Sequence, residues 1–403
     1  MINTKNIAII GGGPSGLIAA YRLASKGFSV HLFERKKSLA RKFKIAGKGG
    51  LNLTYSEPIK NFIDKYEPHQ EFFDTVYKNF SPKDFINWLN SLGVETFVGT
   101  SSRVFPKDKS AAEIIKTIQN ELLKLNVKIH YEHFWKGFDD KGSLIFETDN
   151  ETINQNFDAV LLALGGASYS FTGSDGSWKD ILAEKEIKIH DFKPSNCGFE
   201  VEWSEVFKSK NESQPLKNIK LILDDKSIRG EAMITSYGIE GGVIYHLSRY
   251  IRNKIEHEGF CTVYIDLKPD LSEAEILKRL SANRGKQSYT NFLRKKIKLS
   301  GAGFGLLKEA TSKENMNEPK KLAAIIKKLP IVLTKPRPIE EAISTAGGID
   351  FSEIDDKMML KNLPGVFVCG EMLDWEAPTG GYLLQGCFST GVFAADGIAR
   401  YLK

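Results

Sequence analysis

Cysteine is scarce in this chain: Cys197, Cys261, Cys369 and Cys387 are the only four, with no C-x-x-C pair among them. That spacing argues against a disulfide framework, a thiolate metal cage and a dithiol redox centre, and leaves them as small, mostly buried hydrophobes. No metal ligand set is expected either. Long apolar runs are also missing. Nothing approaches the roughly 18 residues a membrane helix needs, so no membrane partner is expected. The opening MINTKNIAIIGGG lacks the basic, apolar, small-residue layout of a secretory signal, which makes the cytoplasm the expected location. Neither sign of charge dominates, with 56 basic against 50 acidic residues for a net +6. The lysines are spread out apart from RKKIK (Arg294 to Lys298), whose plainer reading is a solvated helix face, so no nucleic-acid partner is expected.

What remains is a globular composition, 41% hydrophobic and 26% charged, in a chain of 403 residues that exceeds one comfortable domain. Its most informative stretch comes first. Asn6 to Ile10 (NIAII) reads as a buried parallel strand and runs into GGGPSG, which places G-x-G-x-x-G at Gly11, Gly13 and Gly16. A helical pattern follows from Pro14 through Ser15 to Lys26, Gly27 ends it, and a second strand, SVHLFE, finishes at Glu34. Each part has a mechanical reason. Gly11 permits the tight turn, Gly13 admits a pyrophosphate to the backbone, and Gly16 allows close helix packing. The helix start offers free N–H groups to phosphate. Glu34, 18 positions beyond Gly16, stands where a carboxylate accepts ribose hydroxyls.

The fingerprint alone does not separate FAD from NAD; the remainder of the chain favours FAD. Glu34 and Arg35 lead into RKFKIAGKGGLNLT (Arg41 to Thr54), read as a glycine-rich basic loop. Strand-like runs resume at Val127 to Trp135 and Asp158 to Gly166, the latter passing Ala163 and closing on the pair Gly165-Gly166. Near the end, a strand from Val366 to Cys369 gives way to Gly370-Glu371, and a loop through Pro378, Thr379, Gly380 and Gly381 opens a further helix.

Together with SSRVFP, ALGGASYSFTGSDGSW, PSNCGFEV, ITSYGIEGG, RGKQS, AISTAGGI and GEMLDWEAPTGGYLLQG, these segments are spread over nearly the whole length of the chain. The sequence resembles the YhiN/BaiN-like family of NAD(P)/FAD-dependent oxidoreductases, within which it looks like a member of an uncharacterised flavoprotein subgroup. The resemblance implies an α/β fold: a Rossmann-type, glutathione-reductase-like FAD-binding domain from residues 1–194 and 336–403. Into it would be inserted a β-rich domain (195–270) and a helical segment (271–335). It implies FAD with Gly11 to Gly16 at the pyrophosphate, Glu34 at the adenosine ribose, the backbone near Trp135 at the adenine and Glu371 at the ribitol. Gly381, Tyr382 and Leu383 would lie by the pyrimidine edge, where a helix N-terminus stabilises charge on reduced flavin by roughly 0.3–2 kcal/mol. In the basic loop Arg41 to Thr54, Gly47, Gly49 and Gly50 would allow close backbone approach. Lys42 or Lys48 would offset phosphate charge, and Asn52 and Thr54 would bond the ribitol or flavin edge.

The expected activity is oxidoreduction of a small molecule by hydride transfer. With one fingerprint only, NAD(P)H would visit the flavin directly as a transient donor. The alternatives are an RNA-modifying flavoprotein or a non-catalytic flavin module. No catalytic base stands out. Arg103 is a candidate carboxylate anchor, with a surface salt bridge as the plainer reading, and Ser102 stands before it where the family often has glycine. Tyr237 to Gly242 is expected near the flavin, with ordinary turn glycines as the alternative. The seven histidines carry no ligand spacing or carboxylate partner in the sequence and read as structural, and Asp374 and Glu376 read as solvated loop carboxylates.

Overall fold

A computed structural model of the chain describes residues 5–47 and 50–403. The chain divides into a first unit, Met1–Lys193 with Ser344–Lys403, and a second, Pro194–Ile343. The return crossing thus falls at 343/344 rather than 335/336, and Ile343 N–H still donates to Asn196 O (3.3 Å) inside the second unit.

In the first unit the apolar runs form a five-stranded parallel sheet. Its order is Val366–Val368, Ala159–Leu162, Asn6–Ile10, Ser29–Glu34 and Lys128–Tyr131. The register pairs Ile10 with both Leu162 and Phe33, so the carboxyl ends of the strands share one edge. That edge is where an open α/β sheet places its ligand. Helix Pro14–Ala24 packs on helix Tyr382–Tyr401, and the crossing is close. A Cβ on Gly391 would lie 2.5 Å from Ser15 O. Arg22 ties the pair by a two-pronged contact to Asp396, both bonds 3.0 Å.

Three sequence readings need correction. The start of the basic loop, Arg41–Ala46, is a short helix that buries Phe43, because its own residues are good helix formers and the glycines begin only afterwards. The single strand read over Val127 to Trp135 is two. Lys128–Tyr131 ends the parallel sheet, Glu132 turns the chain at φ +58°, and Phe134–Phe138 begins a three-stranded antiparallel sheet. In the segment read as β, Gly242–Glu258 is a long helix whose Val243, Ile244, Leu247, Ile251 and Ile255 recur at helical spacing and are buried.

The second unit holds a seven-stranded sheet with antiparallel pairings. The β-rich and helical stretches, expected as two inserts, share one apolar core. Ile276, Leu293, Leu306 and Ile326 of the helices pack in the same cluster as Leu221, Ile234 and Val263 of the sheet.

Candidate cofactor cleft

The cleft lies within the first unit at the carboxyl ends of the parallel strands. It measures about 960 Å³ including its open mouth. Of the residues singled out from the sequence, Gly11, Gly13, Pro14, Ser15, Glu34, Arg35, Lys42, Trp135, Ala163, Gly165 and Glu371 line it. Gly11 turns at φ +112°, and a Cβ there would sit 2.2 Å from Ala163 O. Gly13, by contrast, has nothing within 4 Å of its missing Cβ, so the backbone stands open where a pyrophosphate would approach.

Glu34 is held on both oxygens. Gly12 N–H donates to Oε2 (3.1 Å) and Lys36 N–H to Oε1 (2.8 Å). Burial still raises its pKa above the ordinary value, with the two N–H bonds opposing. Arg35 pairs with Asp175 (2.6 Å) and lies over the Phe134 ring at 4.3 Å, which fixes one wall. Lys42, expected against phosphate, donates to Ser168 Oγ (2.7 Å) and pairs with Glu371 (3.0 Å). The expected phosphate partner and the expected ribitol partner are therefore engaged with each other. Lys48 and Gly49 lie outside the described residues.

Gly16, Gly50, Asn52, Thr54, Gly370, Gly381, Tyr382 and Leu383 are not part of that lining. They follow two patterns. Gly16 closes the turn, since a Cβ there would meet Gly11 O at 2.0 Å, and a Cβ on Gly370 would lie 2.4 Å from Ser15 Oγ. Thr54 and Gly381 meet at the start of the C-terminal helix, where a Cβ on Gly381 would lie 2.7 Å from the Thr54 backbone. Around them Tyr55 stacks on Tyr382 (5.1 Å), and Tyr382 O–H donates to Glu57 (2.6 Å). Burial, reinforced by Glu57, pushes the Tyr382 phenol well up. Arg103 reaches the same corner, its Nε 3.8 Å from where a Cβ on Gly380 would lie. Ser102 takes φ +60°, so this serine adopts the left-handed turn that the family's glycine would give.

Among the described residues of this unit, Asn52 Oδ1, Thr54 Oγ1, Tyr77 Oη, Trp88 Nε1, Trp135 Nε1 and Gln385 Oε1 are buried without a hydrogen-bond partner. An unpaired buried polar atom costs about 1–3 kcal/mol. Of their residues Trp135 lines the cleft, and its free N–H, the held Glu34 carboxylate and the open backbone at Gly13 fit a polar, extended cofactor such as FAD.

Tyr237 belongs to the second unit. Its O–H donates to Glu240 (2.5 Å) and Arg337 covers its ring at 4.3 Å. Burial first, then Glu240, holds its pKa above the ordinary value, so the phenol stays protonated.

The structure also gathers groups that the sequence showed as scattered. His31 and His130 come within 3.1 Å, and His130 and His133 flank Phe33. Burial, then the neighbouring His31, takes the His130 pKa down to about 4. Only the pairing of two parallel strands brings these histidines together, and no spacing within one strand shows it. His190 does have a carboxylate partner, Asp350 at 2.7 Å, with Asp374 at 3.6 Å. The thiols of Cys369 and Cys387 line the cleft, and burial pushes Cys387 up to about 12 and raises Cys369 further. Both are therefore protonated and poor nucleophiles at neutral pH. Among the described residues no group of three or more His, Cys, Asp and Glu can hold a metal, and no helix is long and apolar enough to cross a membrane.

Comparison with known proteins extends this picture. A family model described as HI0933-like protein Rossmann domain matches residues 5–397. A 3-dehydro-bile acid delta(4,6)-reductase of Clostridium scindens is 25% identical over 419 residues, covering 98% of this chain and 99% of the relative. A ribosomal RNA dihydrouridine synthase of Haemophilus influenzae is 24% identical over 410 residues, covering 98% and 99%. Among solved structures, the 3-ketosteroid delta1-dehydrogenase of Sterolibacterium denitrificans superposes with a TM-score of 0.55 at 11% identity, covering 99% of this chain and 100% of that one. The 3-ketosteroid-delta4-(5alpha)-dehydrogenase of Rhodococcus jostii gives 0.51 at 14%, covering 99% and 97%. At such identities the structural likeness speaks for the fold alone.

Proposed function

The chain belongs to the HI0933-like family of FAD-dependent oxidoreductases, and we propose that it saturates a carbon–carbon double bond conjugated to a carbonyl in a small molecule. The observation that carries the cofactor half of this reading is the cleft itself, where the Gly11 turn leaves the Gly13 backbone open beside the held Glu34 carboxylate and the unpaired Trp135 Nε1. The substrate half draws on the names of the two full-length relatives. A delta(4,6)-reductase of a 3-oxo bile acid and a dihydrouridine synthase both describe hydride addition to a double bond activated by a neighbouring carbonyl.

FAD supplies the hydride chemistry when bound, with NAD(P)H as the donor. The chain's own residues bind and orient. The N–H groups of Gly13 and Ser15 would face the pyrophosphate, those of Gly11 and Gly12 being taken by Phe33 O and Glu34, and the Glu34 carboxylate would take the adenosine ribose. Lys42 and Glu371 act as one neutral pair on the cleft wall, which positions the ribitol without adding net charge. Asn52, Thr54 and the helix start at Gly381 to Leu383 meet the flavin edge. Arg103, beside Gly380, is the cation available to orient a substrate carbonyl.

A second reading is favoured by one observation. Residues 271–328 carry 14 Lys and Arg against five Asp and Glu, a formal +9, while the other 345 residues sum to −3. That distribution suits a uracil ring presented within RNA.

The test is anaerobic. NADH or NADPH is added to FAD-loaded protein, and the bleached flavin is then offered 2-cyclohexen-1-one, a 3-oxo-4-ene steroid or a uridine-containing RNA. Re-oxidation by an acceptor with a conjugated carbonyl supports the reading. Re-oxidation by oxygen alone contradicts it.

A further inference from the structure

We propose that the helical lobe of the second unit, residues 271–328, is an RNA-docking surface. It binds phosphate through its lysines and a base through the stacked pair Arg284–Tyr289. The proposal rests on the second reading above, a nucleobase as substrate.

The charge is concentrated in structure as well as in sequence. The last turn of helix Tyr289–Ile297 and its cap bring Arg294, Lys295, Lys296 and Lys298 together, all exposed. Arg279 at the end of helix Glu273–Leu280 donates to Lys296 O (3.5 Å), so the cationic ends of two helices meet. Among the described residues, none of Lys278, Lys286, Lys295, Lys296 and Lys298 has an acidic partner within salt-bridge distance, and Arg294 bonds only the Asn291 side chain. Cations at helix C-termini do offset the helix dipole. That explains one or two cations at a helix end but not the five, Arg279, Arg294, Lys295, Lys296 and Lys298, that meet where these two helices end.

Two observations choose RNA over an anionic membrane. A helix that lies in a lipid interface needs an exposed apolar face. The exposed large hydrophobic residues of the described chain lie at Ile59, Phe97, Val98, Leu123, Phe171, Val206, Phe260, Val332 and Tyr401, all outside the lobe. The lobe instead offers Arg284 over the Tyr289 ring at 4.4 Å, a flat cationic platform at the start of the helix whose other end carries the lysines. Unstacked bases bind such guanidinium and aromatic faces, while lysines track the backbone.

The experiment measures binding of a fluorescent single-stranded 20-mer RNA to the full-length, FAD-loaded protein across a salt series. Its comparisons are a duplex DNA of equal length and phosphatidylserine vesicles. The variant Lys295→Glu/Lys296→Glu/Lys298→Glu leaves the buried Phe292, Leu293 and Ile297 untouched. It is expected to bind RNA at least tenfold more weakly and to flatten the salt slope by about two, near 0.7 for each lost phosphate contact. Tyr289→Ala is expected to lose about 5- to 100-fold at unchanged slope. Flavin content and the rate of flavin reduction by NAD(P)H should stay at wild-type values in both. If the charge-reversed chain misfolds, Lys295→Gln/Lys296→Gln reads the same slope change at smaller size. Wild-type binding that is absent at low salt, equal for DNA, or stronger for vesicles overturns the proposal, as does a triple variant that binds RNA normally. RNA binding without reduction of any base keeps the docking surface and removes the nucleobase reading. Failure of the lobe alone leaves the flavin chemistry intact.

Discussion

The two units place their chemistry by opposite means. The first builds a cleft from glycine, backbone N–H groups and polar atoms buried without partners. The second carries exposed, unpaired charge on short helices over a saturated apolar core. In the first, a methyl group added at Gly11 or Gly16 has nowhere to go. In the lobe of the second, the cationic side chains are exposed and a Cβ on Gly285 would meet nothing within 4 Å. Cofactor binding should therefore be sensitive to volume, and any polyanion binding to charge.

The sharpest way to break that contrast is a matched pair of alanines. Gly11→Ala puts a methyl 2.2 Å from Ala163 O at φ +112°. It should cost more than 100-fold in FAD affinity and about 3 kcal/mol or more of stability, read by flavin titration and denaturant melts. Gly285→Ala in the lobe, at φ +56° with no atom within 4 Å, should cost about 1 kcal/mol and leave FAD binding alone.

Next in size is Glu34→Gln, which removes a charged ribose acceptor and should weaken FAD by about 10- to 100-fold. Because burial raises the Glu34 pKa, its carboxylate is lost earlier than a free glutamate as pH falls. Wild-type FAD affinity should drop on the acid side and that of the glutamine variant should not.

Lys42→Met leaves Glu371 without its cationic partner in a mostly buried setting. A loss of about 1–3 kcal/mol in stability or FAD binding is expected, with partial recovery in Lys42→Met/Glu371→Gln.

The smallest effect is on acid stability. His130 has a pKa near 4 in the folded chain against an ordinary 6.5, so between those values the unfolded chain takes up the proton. Stability from this group is whole above pH 6.5 and falls as pH drops toward 4. His130→Phe, which keeps the stack on Phe33, should flatten that limb of a stability–pH profile.

The contrast between units also explains what the sequence could disclose. The turn at Gly11 to Gly16 and the acid at Glu34 were legible because each residue has a local backbone reason at a fixed spacing. The C-terminal helix start at Gly381 was legible for the same cause. The Lys42–Glu371 pair was not, since it joins residues 329 positions apart and either side chain alone suggested a phosphate or ribitol contact. Nor was the grouping of His31 with His130, which depends on the register of two parallel strands. The helix Arg41–Ala46 was hidden by the glycines that follow it. The positive lobe was hidden by averaging: a net +6 over the whole chain looks unremarkable until counted by segment.

The most direct test of the central claim is a titration of the purified full-length protein with FAD, followed by flavin absorbance and by identification of the flavin released on denaturation. The account predicts one FAD per chain, lost in Gly11→Ala and retained when Lys295, Lys296 and Lys298 are reversed in charge. A protein that shows no flavin band, before or after FAD is added, contradicts it.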